Sequence, residues 1–97
     1  MIEFLLTGEY FEVRGHSPKS KDHLCMAVSV LTQHVANLLK VEYGVSIEKG
    51  KGYLRVWFPE RKDECSVKVI SALVRSLQEL EKLFPNALKV EVKYNGP

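Results

Sequence analysis

Apolar positions change their spacing several times along the chain, and each change predicts an element. Residues 2–7 (IEFLLT) and 9–14 (EYFEVR) are short apolar runs on either side of Gly8. Their length and their β-branched and aromatic content predict two strands joined as a hairpin. From Gly15 to Lys21 (GHSPKSK) there is little to bury, and Pro18 biases Ser17 away from helical backbone, which predicts an exposed loop. Leu24, Ala27, Val28, Leu31, Val35 and Leu38 then recur at helical spacing and form one stripe on a helix over 22–39. Asp22 or Ser20 would cap it, because a side-chain oxygen there accepts from N–H groups that the first turn leaves unpaired.

Residues 41–48 (VEYGVSIE) and 52–58 (GYLRVWF) read as a second pair of strands around the turn Lys49-Gly50-Lys51-Gly52, with Pro59 ending the second. Asp63 is the N-cap of another helix whose stripe is Ile70, Leu73, Val74, Leu77, Leu80 and Phe84, stopped by Pro85. In the last segment, 87–94, Leu88, Val90, Val92 and Tyr94 alternate onto one face of a strand. The order is β-β-α-β-β-α-β. Two amphipathic helices and five strands predict an α+β two-layer sandwich, a five-stranded mixed sheet with both helices on one face. The whole of 1–97 reads as a single domain, without a linker or a repeat.

Composition narrows this only slightly. The apolar share of 45% suffices for a core, and net charge of +2 from 14 basic and 12 acidic residues points to no particular partner. No apolar run approaches the roughly 18 to 20 residues of a membrane span, and the start lacks the basic segment and cleavage site of a leader. Cys25 and Cys65 stand 40 positions apart with no CxxC pair, in a chain that needs no disulfide staple. Together these features predict a cytoplasmic protein without membrane attachment.

Both cysteines fall in the first turn of a predicted helix, so position alone does not separate them. Asp63 and Glu64 place negative charge beside Cys65 and oppose a thiolate there. Cys25 has instead His16 on the loop that leads into its helix, close enough in sequence to fold back beside it. A thiol is a weak nucleophile until an imidazole takes its proton or pairs with the anion. A buried, inert Cys25 and a solvated His16 are the bland reading of the same residues. His34, mid-helix, reads as structural. His23 and Cys25, two apart on a helix, point about 200° away from each other and cannot hold one ion together, so no metal or other cofactor is expected.

The stretch Gly15-His16-Ser17, followed by Asp22-His23-Leu24-Cys25-Met26-Ala27-Val28-Ser29, resembles the ribosomal-processing cysteine proteases called Prp. Their signature is Gly-His, a loop, then Asp-x-x-Cys-x-Ala-Val-Ser opening a helix, and Gly15, His16, Asp22, Cys25, Ala27, Val28 and Ser29 fall on it. The resemblance implies an endopeptidase that removes a short N-terminal extension from a large-subunit ribosomal protein. Cys25 would be its nucleophile and His16 its general base and acid, with Asp22 and Ser29 in support. It further implies a homodimer, a ribosomal protein precursor as substrate, and an apolar groove for the residues before the cut. The chain departs from the pattern in a shorter loop that contains Pro18, in Ser17 for alanine, in His23 for an apolar residue and in Met26 for a small one.

The alternative is a noncatalytic, ribosome-associated module that binds rRNA or a ribosomal protein through Arg14, Lys19, Lys21 and the Lys49/Lys51 turn. The protease reading leaves nucleic acid open as a partner and does not require it.

Overall fold

The computed structural model describes residues 1–16 and 22–93, and of Asp22 the backbone only. The elements are β1 (Ile2–Thr7), β2 (Tyr10–Arg14), α1 (Asp22–Tyr43), β3 (Ile47–Gly50), β4 (Tyr53–Trp57), α2 (Glu64–Leu83) and β5 (Leu88–Lys93). They form one sheet of order β3-β4-β2-β1-β5. β1 pairs antiparallel with β2, and β4 pairs antiparallel with both β2 and β3, while β5 runs parallel to β1. The predicted mixed five-stranded sandwich is therefore the observed one.

Strand alternation decides which side faces the helices. Ile2 and Phe4 of β1, Phe11 of β2, Leu54 and Val56 of β4 and Leu88 of β5 are buried. They meet Leu24, Val28, Val35, Ala36 and Leu39 of α1, and Ile70, Leu73, Val74 and Leu77 of α2. α1 is long and apolar enough to cross a membrane, yet its stripe is spent on packing against the sheet. The predicted Leu38 is only half-buried, and Leu39 and Ala36 take the deepest positions at that end.

Three boundaries differ from the pattern reading. The strand expected over 41–48 is helical through Tyr43, because Gly44 is the stop: its φ of 64° is left-handed and its N–H bonds the Lys40 carbonyl at 3.0 Å. β3 consequently begins at Ile47 and absorbs Lys49 and Gly50, leaving a two-residue turn, Lys51-Gly52, between paired Gly50 and Tyr53. α1 begins at Asp22, while capping by Ser20 or the Asp22 side chain lies outside the described residues, as do Tyr94 and most of the predicted 15–21 loop. The cap on α2 is as predicted: Asp63 accepts from the Ser66 N–H at 2.8 Å.

Candidate active site

The end of β2, the first turns of α1 and the β3–β4 hairpin converge on a cleft of about 260 Å³. Pairing of β2 with β4 carries the chain to Arg14 opposite Tyr53, and one further bond, Gly15 N–H to the Gly52 carbonyl at 3.0 Å, delivers His16 to the mouth of the hairpin. The Met1 nitrogen donates to the His16 carbonyl at 2.8 Å and holds its backbone from the other side. Cys25 enters from α1, anchored by its neighbours Leu24 and Val28, which are 1% exposed. Imidazole and thiol thus line the same cleft, His16 exposed and Cys25 half-buried. Both cysteines are thiols, and Cys65 is exposed at the start of α2.

The cleft has an apolar side made by Ile2, Val13, Val28 and Leu54, and a polar end on the next turns of α1. There the Gln33 amide donates to Ser29 Oγ at 2.6 Å and its carbonyl oxygen accepts from Lys49 Nζ at 3.1 Å. Ser29, one helical turn after Cys25, shares its face. Thr32 Oγ1 turns back to the Val28 carbonyl at 2.8 Å. Sequence reasoning singled out His16, Cys25 and Ser29, but not Gln33, Lys49 or Gly52 as parts of one site. Gln33 was legible as the next position on the face of Cys25 and Ser29; the two hairpin residues depend on where the sheet folds.

Other candidates are placed elsewhere. His23 stacks edge-on against Phe84 at 5.5 Å and lines a separate groove between α1 and α2 with Met26, Val30 and Leu83. Its ring therefore points away from the Cys25 cleft. Among the described residues no cluster of three metal-ligating side chains occurs. Among the described residues of the binding-module reading, Arg14 and Lys49 do not meet. Arg14 lies on the outer face of the sheet with Glu12, at 2.7 Å, whereas Lys49 is at the cleft with Gln33. Lys19 and Lys21 lie outside the described residues.

The family model for the cysteine protease Prp matches residues 7–89, a span that contains the cleft residues from β2, α1 and the β3–β4 hairpin. The chain belongs to the Prp cysteine protease family. Among solved structures, S. aureus Prp in complex with a substrate peptide superposes with a TM-score of 0.86 at 14% identity, covering 96% of this chain and 100% of that one. The same Prp with a covalently linked product peptide gives 0.82 at 16% identity, again over 96% and 100%. A Streptococcus mutans protein gives 0.74 at 18% identity, over 97% and 93%. At these identities the superpositions establish a shared fold. No curated protein sequence matches significantly.

Proposed function

We propose that this Prp-family chain is an endopeptidase that removes a short N-terminal extension from a large-subunit ribosomal protein, with Cys25 as nucleophile and His16 as base and then acid. The observation that carries this reading is the opening of His16, just beyond the end of β2, and Cys25, in the first turn of α1, onto one cleft. His16 takes the Cys25 proton, and the thiolate adds to the scissile carbonyl. Collapse of the tetrahedral intermediate breaks the C–N bond, His16-H⁺ protonates the departing amine, and an acyl-enzyme remains. Water, deprotonated by His16, hydrolyses the thioester and restores the thiol. Backbone N–H groups of the first turn of α1 are the proposed oxyanion donors. Asp22 is assigned to cap α1 or orient His16, and Ser29, bonded to Gln33, to shape the polar end of the cleft.

Two further features support a peptide substrate. The apolar side of the cleft suits the apolar residues that such a substrate carries before the cut. S. aureus Prp, a ribosomal processing protease, was captured with a substrate peptide and with a covalently linked product peptide. The working unit is proposed to be a cytoplasmic homodimer; exposed Met26, Val30 and Leu83 form an apolar strip that a second copy would cover. Sedimentation equilibrium reads that association.

The deciding experiment is mass spectrometry of a peptide spanning the extension of the ribosomal protein, incubated with wild type, Cys25→Ala, His16→Ala and Cys65→Ala. A single cut by wild type and Cys65→Ala, absent with the other two, is the expected result. A cut that survives Cys25→Ala overturns the reading. Salt-sensitive RNA binding that survives Cys25→Ala, with no cleavage, would install the binding module in its place.

A further inference from the structure

We propose that Gly52, in the β3–β4 turn, is a positioning residue for His16: the absent side chain at 52 is the seat on which the imidazole rests. The proposal deepens the His16–Cys25 reading and rests on it. Three observations meet at this glycine. Its carbonyl accepts from the Gly15 N–H at 3.0 Å, so the turn is tied to the residue that immediately precedes the histidine. A Cβ built on Gly52 would lie 2.5 Å from His16 Nε2, 3.0 Å from Cε1 and 3.4 Å from Cδ2, so the ring edge occupies the space any other residue would fill. Gly52 also lines the cleft together with His16 and Cys25.

These contacts determine where the damage from a side chain at 52 would fall. The clash is with the far end of a side chain that is exposed, so the backbone need not move; the imidazole swings aside instead. A displaced ring costs the fold little but deprives Cys25 of its base, and a positioned base contributes roughly 10²- to 10⁴-fold in rate. The left-handed backbone of Gly52, φ 67°, adds a separate strain for any residue with a Cβ. The chain supplies its own control for that strain. Gly44 has φ 64° with nothing within 4 Å of its would-be Cβ, so Gly44→Ala carries the backbone cost without touching His16.

The test compares iodoacetamide alkylation of Cys25 between pH 5 and 9, with Cys65 as the internal reference, alongside kcat and KM on the extension peptide. The variants are Gly52→Ala, Gly52→Asn, Gly44→Ala, His16→Ala and the double variant Gly52→Ala/His16→Ala. Gly52→Asn keeps the Cβ but tolerates the left-handed backbone, so it reports on the ring contact if Gly52→Ala folds poorly. Both Gly52 variants are expected to slow Cys25 alkylation at pH 7 and to lower kcat by about tenfold or more, with KM within about twofold, a part of the base contribution. Gly44→Ala should stay within about twofold of wild type, and the second substitution should add nothing in the His16→Ala background. Wild-type rates in both Gly52 variants, or an equal loss with and without His16, overturn the proposal. If His16→Ala itself alkylates and cleaves like wild type, the dyad reading fails first and takes this one with it.

Discussion

Glu12 is 4% exposed on β2, and its burial alone would push its carboxyl up; Arg55 and Arg14 outweigh that and hold it below the ordinary value of 4.5. Both guanidinium groups donate through two nitrogens, Arg55 to Oε1 at 2.6 and 3.0 Å and Arg14 to Oε2 at 2.7 and 3.1 Å. Arg55 also lies over the Tyr10 ring at 4.5 Å, which fixes the aromatic side of the outer sheet face. Glu12→Gln should therefore destabilise the protein by roughly 2 kcal/mol in urea unfolding at pH 7, the scale of charge-assisted bonds lost from a buried acceptor. Because the folded carboxyl is the more acidic, its contribution is present above pH 4.5 and declines as pH falls through the folded value. The acid limb of stability against pH should accordingly be shallower in Glu12→Gln. The two histidines that precede Cys25 in sequence should also separate: with its ring on Phe84, His23→Ala should keep kcat/KM within about twofold, whereas His16→Ala should lose about 10²-fold or more.

The helices are joined where α1 ends and α2 begins. Tyr43 donates to both carboxylate oxygens of Asp63, at 2.7 and 2.8 Å, while Asp63 caps α2 through the Ser66 N–H. That N–H first, and the Tyr43 hydroxyl next, hold the Asp63 carboxyl below its usual range; the bond to Asp63 in turn pushes the Tyr43 phenol up. Asp63→Ala removes cap and tether together and should lower the melting temperature more than Tyr43→Phe, which leaves the cap in place. In the Asp63→Ala background Tyr43→Phe should add little, since its partner is already gone. The cap was legible from an aspartate just before an apolar stripe. The tether was not, because the pattern over 41–48 places Tyr43 in a strand, whereas α1 runs on to Tyr43 and ends at the left-handed Gly44.

Across the whole molecule, stability resides in the layer between sheet and helices. Leu77 is 0% exposed there, so Leu77→Ala should cost about 2 to 5 kcal/mol by urea denaturation. Gln78, also on α2 but exposed, should cost within about 0.5 kcal/mol as Gln78→Ala. The same layering creates the cleft. α1 packs against the sheet, and the space left between its start and the β3–β4 hairpin is lined by Cys25, His16 and Gly52.

By itself the sequence determined the elements, their order, the buried stripe of each helix and the Gly-His and Asp-x-x-Cys signature, because periodicity, caps and short motifs are local properties of a chain. Ile70, Leu73, Val74 and Leu77 could form a stripe only on a helix, and all four are buried. Tertiary structure decided what depends on residues far apart meeting. It chose the parallel pairing of β5 with β1, the commitment of Arg14 to Glu12 rather than to a basic patch, and the turning of His23 toward Phe84. It also brought Lys49 to Gln33 and Gly52 to His16, contacts fixed by the register of β3, β4 and β2. A strand pattern specifies which face is apolar, but which neighbour it pairs with, and therefore what stands at its end, is set by the packing of the whole sheet.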